Sequence, residues 1–293
     1  MLPKEVERGI YEYFASNDYL DFQIKSVRGA TGGDINDAAV LKTNEGTFFV
    51  KWNDAEKYPQ MFEKEFKGLR LLADAGEIAV PKALHSDEIK GTGFLLMEAV
   101  ISAGQKQGFW FEFGTSLAEL HKHSNDFFGL DHDNYIGYLP QHNQAAETWE
   151  EFFVTQRLEI QVAMALDAYR VDKDIVRKFD RLYSKIGKLF PKEKPALLHG
   201  DLWSGNYMVG SSGEPVIIDP AVYYGHREMD LAMTKLFGGF DSEFYSAYHS
   251  AYPLEADWQE RLDLCNLYPL MVHLNMFGDS YLSSVLRVLD RFV

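Results

Sequence analysis

Three polar side chains near position 200 have the types and spacing that chemistry at a metal-bound phosphate would need. Asp201 is followed by Asn206 after five positions and by Asp219 after a further thirteen (206 − 201 = 5; 219 − 206 = 13). An amide oxygen and a carboxylate are hard ligands of the kind that Mg²⁺ takes, with waters and phosphates completing its coordination. A second carboxylate nearby could accept the proton of a substrate hydroxyl in phosphoryl transfer. We therefore predict Asn206 and Asp219 as metal ligands and Asp201 as the catalytic base.

The local chain must bring these groups together. Residues 207–209 and 216–218 read as short strands, and the glycine- and serine-rich run between them is typical of a turn. The resulting hairpin would place Asn206 beside Asp219, with Asp201 one loop earlier in the Asp-x-x-x-x-Asn spacing of kinase catalytic loops. As an alternative, Asp201 and Asn206 would be ordinary turn residues and Asp219 a strand-end cap. The coincidence of all three in this context favours phosphate chemistry.

A charged pair is predicted earlier in the chain. In the strand expected over 47–52, Lys51 lies on the same face as Phe49. In the helix expected over 61–73, Glu65 falls within the apolar stripe, where a carboxylate is costly unless a cation meets it. We therefore predict an ion pair between Lys51 and Glu65 that holds the lysine amine over phosphates. The alternative is a solvated strand-end lysine and an exposed glutamate.

A glycine-rich turn precedes that strand. Residues 29–37 separate strands expected over 22–27 and 38–41, and they contain Gly32 and Gly33. Glycines allow backbone amides to approach an anion closely, so these two residues are candidate phosphate contacts. A plain hairpin turn would have a similar composition and stays open as an alternative.

The remaining patterns describe the overall organisation. A short amphipathic helix over 3–14 opens the chain, and the apolar strand over 93–100 runs into a small-residue loop that suits a hinge. Beyond it helices dominate, and they are expected over 109–121, 149–168, 173–190, 226–236, 242–251 and from 258 to the end with a break near Gly278. We predict an α+β fold with a small β-rich N-lobe over 1–98 and a larger, mainly helical C-lobe over 99–293.

The composition and net charge limit which partners the protein is expected to bind. With 293 residues and 46% apolar content the chain can build a sizeable core, and its net charge of −15 opposes binding to nucleic acid or anionic membranes. The single cysteine cannot form an intrachain disulfide, and the first residues lack the apolar core of a signal peptide. We therefore expect a cytoplasmic protein with neither nucleic acid nor membrane as a partner.

Aromatic and acidic residues flank the two predicted loops. Trp203, Tyr223 and Tyr224 could stack on a substrate ring or pack in the core, and the sequence leaves both interpretations open. Together with Glu228, such residues would favour a cationic ligand. Asp230 belongs to the helix after the second loop, where a carboxylate is better placed to accept hydrogen bonds from the catalytic-loop backbone than to reach phosphates.

The sequence resembles the fructosamine kinase (ketosamine 3-kinase) family, which is related to the aminoglycoside phosphotransferases and choline kinases. The resemblance covers nearly the whole chain, and HGDLW-x-GN combined with DPA-x-YYG-x-RE is far more specific than the generic kinase spacing. The stretches that carry it include FFVKWN (48–53), MFEKEFKGLRLL (61–72), HGDLWSGN (199–206), IIDPAVYYGHREMDLAM (217–233) and VHLNMFGDSYLSSV (272–285). It implies a protein-kinase-like two-lobed fold.

The resemblance also implies a reaction. It supports the roles given above for the base, the metal ligands and the ion pair, and it adds Glu98 with the backbone after it as the contact to adenine. The cofactors would be ATP and Mg²⁺, and the substrate a small-molecule ketosamine such as a fructosamine or ribulosamine, phosphorylated at O3 of its sugar. The protein would be a monomer or a weak homodimer. Unlike some relatives, this chain has no cysteine in its glycine-rich turn, so redox-linked dimerisation is not expected.

Two other functions stay open at this point. Within the same fold, the acceptor could be another amino sugar or an amino alcohol, as in aminoglycoside or choline kinases. A catalytically silent nucleotide-binding protein is a second alternative, which the complete set of predicted catalytic residues disfavours. A protein kinase is disfavoured because the segment after Asp219 reads PAVYYGHRE, without DFG.

Overall fold

The structure is a computed structural model that describes residues 2–30 and 36–293. The predicted phosphate contacts Gly32 and Gly33 lie outside the described residues. The chain divides into two compact units, of which the first comprises Met1–Phe109 and Met208–Asp219 and the second Trp110–Tyr207 and Pro220–Val293. These units differ from the predicted lobes, 1–98 and 99–293, in two ways. The first unit extends to Phe109, and it also includes Met208–Asp219.

The elements follow in chain order. The strands are β1 Ile24–Ala30, β2 Asp37–Thr43, β3 Thr47–Asp54, β4 Ala83–Ile89, β5 Thr92–Glu98, β6 Asn134–Ile136, β7 Leu139–Gln141, β8 Ala196–Leu198, β9 Tyr207–Val209, β10 Pro215–Ile217 and β11 Tyr223–Gly225. The helices are α1 Lys4–Ser16, α2 Met61–Ala75, α3 Phe109–Leu120, α4 Trp149–Phe152, α5 Glu159–Asp167, α6 Lys173–Tyr183, α7 Ile186–Leu189, α8 Glu228–Leu236, α9 Ser242–Ala251, α10 Trp258–Cys265, α11 Leu267–Phe277 and α12 Leu282–Phe292. A π-helical segment over Phe153–Leu158 and a 3₁₀ turn over Asp279–Tyr281 complete the set.

The first unit is built on an antiparallel sheet with the strand order β1-β2-β3-β5-β4. Helix α1 contributes apolar side chains to a core with one face of this sheet, among them Ile10 packed with Val50. Helix α2 covers the other face, where Phe62 and Leu69 pack with Leu95. Because side chains alternate along a strand, residue 51 lies on the face opposite Val50 and therefore faces α2. This alternation brings Lys51 to the helix that carries Glu65.

A hairpin formed by β9 and β10 also belongs mainly to the first unit. Its second strand is fixed by the Ile217 N–H, which donates to the Ala79 carbonyl over 3.0 Å. Its turn is fixed by the Lys106 N–H, which donates to the Gly213 carbonyl over 3.2 Å. The predicted hairpin is therefore present, and Asp219 follows two residues after the end of its second strand.

The second unit is mainly helical. Helices α5 and α11 pack together, as do α8 and α10, and β8 pairs antiparallel with β11. The long helix predicted over 149–168 is divided by the π-helical segment, and the helix predicted over 173–190 is two shorter helices. Among the residues that the structure describes, no helix is both long enough and apolar enough to cross a membrane.

Candidate active site

Lys51 lies between two carboxylates. Its Nζ donates to Oε1 of Glu65 over 2.5 Å and to Oδ1 of Asp219 over 2.9 Å. The lysine is 3% exposed, so its charge is paired inside the first unit instead of being solvated. The ion pair predicted with Glu65 is thus present, and the contact with Asp219 adds a partner that the sequence did not indicate.

The surroundings of Lys51 keep its amine charged. Burial alone would lower the pKa of a lysine, because a charged amine is poorly solvated in the protein interior. The carboxylates of Asp219 and Glu65 outweigh burial and raise the pKa of Lys51 above its ordinary value. A charged amine held on a strand can bind an anion such as a phosphate.

Asp219 combines an unusual backbone with an accessible side chain. Its φ of +54° lies in the left-handed region, which aspartate tolerates better than most residues but which still carries a conformational cost. Its side chain is 46% exposed, although Oδ1 is held by Lys51. Strained, accessible polar residues cluster at functional sites, and this one lies two residues after the predicted hairpin.

Asp201 and Asn206 are brought together in the second unit. The Asn206 Nδ2 donates to the Asp201 carbonyl over 2.9 Å and to Asp201 Oδ2 over 3.0 Å. Both partners are acceptors, so the NH₂ end of the amide must face Asp201 and its oxygen must face elsewhere. Asn206 is therefore oriented as an oxygen donor, as a metal ligand requires. Asn206 and Asp219 fall in different units, so their expected proximity stays a prediction.

Asp230 fixes the loop that carries Asp201. Its two carboxylate oxygens accept hydrogen bonds from the backbone N–H groups of His199 and Gly200, over 2.8 and 2.9 Å. Nε2 of His121 lies 3.2 Å from the same carboxylate. Burial would raise the pKa of Asp230, but these hydrogen bonds, led by that of His121, lower it. The predicted structural role of Asp230 is confirmed, whereas the buried His121 gave no signal in the sequence beyond its helical position.

Close backbone approach explains one glycine of this loop. Gly200 has a φ of +84°, and a Cβ there would lie 2.0 Å from the Ala221 carbonyl oxygen. The Ala221 N–H in turn donates to the His199 carbonyl over 2.9 Å. A side chain at residue 200 would therefore separate two chain segments that hold each other in place.

Two predicted substrate contacts are core residues. Tyr223 is 1% exposed, and its ring lies 4.1 Å from the Arg157 guanidinium. Glu228 is fully buried, and its oxygens accept from Arg261 over 2.6 and 2.8 Å. Both side chains are buried and interact with an arginine, so the structure does not support the predicted contact with a substrate for either one. For Tyr223 this agrees with core packing, one of the two interpretations left open by the sequence, and Glu228 is paired with an arginine 33 residues further on.

The other predicted contacts have accessible surfaces. Trp203 is 36% exposed, and Tyr224 is partly buried. Glu98 ends β5 with an exposed side chain 3.3 Å from the Lys82 amine. The Ala99 N–H, next in the chain, donates to the Thr47 carbonyl over 3.0 Å. The roles of these residues stay predictions.

Comparison with known proteins shows which family and which structures the chain is similar to. Residues 9–293 match the fructosamine kinase family. The chain is 39% identical over 274 residues to the "Probable ketoamine kinase" of Lactiplantibacillus plantarum, covering 92% of this chain and 95% of that protein. It is 38% identical over 275 residues to the chloroplastic protein-ribulosamine 3-kinase of Arabidopsis thaliana, covering 92% and 83%. The crystal structure of a candidate fructosamine-3-kinase from Haemophilus somnus 129PT matches with a TM-score of 0.86 and 29% identity, covering 97% and 96%.

These similarities extend over nearly the whole chain. They confirm the expected fold class, a kinase-like fold with a small antiparallel sheet and a larger helical part. They also confirm the expected class of enzyme, an ATP-dependent phosphotransferase. The chain belongs to the fructosamine kinase family.

Proposed function

We propose that this protein transfers the γ-phosphoryl group of ATP to O3 of the sugar portion of a ketosamine, such as a fructosamine or a ribulosamine. The observation that carries the proposal is the Asp201–Asn206 pair, on a loop whose backbone is fixed by the buried Asp230. That loop resembles the catalytic loop of kinases in spacing, and the chain matches the family throughout. Relatives named as ketoamine and ribulosamine kinases supply the class of acceptor.

The residues have separate roles in this proposal. Asp201 accepts the proton of the attacking hydroxyl and orients it, as a base on a fixed loop can. Lys51 binds the phosphates of ATP, and Glu65 holds Lys51 in place. Glu98 and the backbone that follows it face adenine.

The two side chains proposed as metal ligands have the chemistry that a magnesium ion prefers. Among residues 2–30 and 36–293, no three His, Cys, Asp or Glu side chains cluster as a metal site. One carboxylate and one amide oxygen, from Asp219 and Asn206, are nevertheless the small protein share that Mg²⁺ takes when phosphates and water complete its coordination. The ion, when bound, would neutralise charge on the phosphates.

The charge of the protein suits the proposed acceptor. A ketosamine amine is cationic when protonated, and the chain carries a net charge of −15. Trp203 is accessible two positions after the proposed base and can stack on a sugar or attract a cation. A free ketose lacks this positive charge and should be a poorer substrate.

A substrate panel tests the assignment. We would compare kcat/KM for a fructosamine, a ribulosamine, the free sugars, an aminoglycoside and choline, and identify the phosphorylated position by phosphorus NMR. We expect the ketosamines to be preferred, with phosphate on O3. Preference for the aminoglycoside or choline by tenfold or more would contradict the proposal.

The Asp201→Asn variant tests the assigned base. Because the carboxylate acts on the acceptor hydroxyl, kcat should fall by about 10²–10⁴-fold while the affinity for ATP changes little. ATP binding is measured separately by calorimetry. A loss of ATP affinity with kcat preserved would show that Asp201 has another role.

A further inference from the structure

Five rings form a continuous line in the second unit, which we call the aromatic strip. Its members in order are Trp203, Phe237, His273, Phe277 and Tyr281. The ring centroids are 5.7 Å apart for Trp203 and Phe237, 5.2 Å for Phe237 and His273, and 5.5 Å for His273 and Phe277. Tyr281 lies 5.1 Å from His273. Single exposed rings are common, but a connected series is typical of a binding surface.

Three of the five rings of the strip are exposed, and His273 and Tyr281 are partly buried. Trp203 is 36% exposed, Phe237 43% and Phe277 49%. The strip therefore does not serve only to fill the core. It offers aromatic faces and edges to a ligand.

Packing ties the strip to the loop of the proposed base. A Cβ on Gly205 would lie 2.3 Å from the Trp203 ring, so that ring lies against the loop's own backbone. A Cβ on Gly239, two residues after Phe237, would lie 2.7 Å from Cβ of Ser204, so the segment after α8 packs on the same loop. The first rings of the strip are thus fixed against the loop that carries Asp201.

Helix α11 extends the strip away from that loop. His273 and Phe277 are four residues apart and therefore share one face further along the helix. The strip thus begins at the loop that carries the proposed base and continues along α11.

His273 gives the strip a polar position without a charge. Its Nδ1 donates to the Pro269 carbonyl over 2.6 Å, and burial lowers its pKa. The neutral ring then presents Nε2 as a hydrogen-bond acceptor. An ammonium or N–H group could donate to it.

The chemistry of a ketosamine determines where its amine substituent must lie. The amine nitrogen is on C1, and O3 is on C3, so only three carbons separate the nitrogen from the reacting oxygen. A substrate whose O3 is at Asp201 must therefore place its amine substituent on the surface next to the loop. The aromatic strip is continuous with that loop.

We propose that the aromatic strip binds the substituent on the amine of the ketosamine, and that the preferred substituent is apolar or aromatic. This inference rests on the proposed function and specifies its substrate class. The rings would attract the protonated amine at the near end and pack against the substituent further along. Phe237 and Phe277 would then be residues that determine specificity, without a part in the chemistry.

Two substrates with the same sugar test the proposal. One is the ketosamine of methylamine and the other that of 2-phenylethylamine, which has the same charge and an added ring. We expect the wild-type protein to have a higher kcat/KM for the phenylethyl compound. Phe237→Ala and Phe277→Ala should each reduce this preference by about two- to tenfold, mainly through KM, because one aromatic contact is lost.

Two further variants act as controls. Phe277→Tyr keeps the ring and should keep the preference. Phe127→Ala removes a ring that is 47% exposed but outside the strip, and should also keep the preference. Equal losses for both compounds in the strip variants, or no wild-type preference, would overturn the inference while leaving the proposed function intact. Failure of the wild-type protein to phosphorylate either compound would overturn the proposed function and this inference with it.

Discussion

Two aspartates of this protein illustrate opposite uses of a carboxylate beside a basic group. Asp230 is 1% exposed and accepts from two backbone N–H groups, with the His121 ring beside it. Asp219 has a side chain that is 46% exposed, with Oδ1 held by the Lys51 amine. The first carboxylate is enclosed by its partners, and the second is reachable from solvent.

This difference in exposure determines how easily each carboxylate can change its partners. Removing a partner from Asp230 would leave a buried charge or a buried donor without compensation, which is costly. Asp219 can change partners at lower cost, because water can take over at its exposed side and Lys51 retains Glu65. Accessibility thus distinguishes the two kinds of aspartate. An exposed one is suited to binding and releasing an ion, and a buried one is suited to fixing a loop.

The strongest test of this comparison is Asp219→Asn. If Asp219 is the main charged ligand of Mg²⁺, turnover at ordinary magnesium concentrations should fall by at least about 10³-fold. The free energy of unfolding should change little, because the side chain is half exposed and Lys51 keeps one carboxylate. Steady-state kinetics and denaturant unfolding measure the two quantities. Near-normal turnover would place the metal on other residues.

Asp230→Ala should show the reverse pattern. Loss of the carboxylate leaves the N–H groups of His199 and Gly200 without an acceptor inside the protein. We expect the free energy of unfolding to fall by about 3–5 kcal/mol. Urea unfolding measures it, with the exposed Asp290→Ala as the control. A loss below 1 kcal/mol, about the value of a surface ion pair, would show that Asp230 is not a structural centre.

A double-mutant cycle tests how Lys51 and Glu65 work together. Lys51→Ala and Glu65→Ala should each lower kcat/KM, and the double variant should be little worse than Lys51→Ala. Residues that act as a unit have coupling energies of about 0.5–3 kcal/mol. Lys67→Ala combined with Glu63→Ala, an exposed ion pair on the same helix, is the matched control. Fully additive losses at Lys51 and Glu65 would mean that Glu65 does not position the lysine.

Local periodicity explains why the Lys51–Glu65 pair was predictable. The two-residue period of β3 and the helical period of α2 each placed a charge among apolar residues, so each charge indicated a partner. The contact between Lys51 and Asp219 spans 168 positions and has no periodic signal. Strand β4 was not predicted for a related reason: most of its residues are only partly buried or exposed, so it lacks an apolar pattern.

The burial of Tyr223 and Glu228 also has no periodic signal in the sequence. Both residues stand beside the predicted loops, where a substrate contact was expected for Glu228 and was one of two interpretations for Tyr223. Their partners Arg157 and Arg261 come from a π-helical segment and from α10, whose packing depends on the whole second unit. The sequence therefore predicted the fold class and the Lys51–Glu65 pair, but not which side chains beside the loops the core would enclose.

The enclosed region around α8 should also respond to pH. His226 is fully buried, and its Nδ1 accepts from the Glu228 N–H over 3.3 Å. Nε2 has no hydrogen-bond partner among the described residues, since the Glu193 carboxylate lies 3.7 Å away. Burial, aided by Arg227 and Arg261, lowers the pKa of His226 below its ordinary 6.5, although Glu228 and Glu193 oppose the shift.

The sign of the effect follows from proton binding. Below pH 6.5 the unfolded chain takes up a proton at residue 226 that the folded protein does not, until the lowered folded pKa is reached. The contribution to stability is therefore complete above pH 6.5 and decreases on acidification, by about 1.4 kcal/mol per pH unit within that window. His226→Asn, whose amide can occupy the position of Nδ1, should reduce the slope of unfolding free energy against pH between 7.5 and 5.5. Thermal and urea unfolding at matched ionic strength measure the slope, and the exposed His249→Asn is the control. A slope equal to that of the wild-type protein in His226→Asn would show that acidification destabilises this protein through other groups.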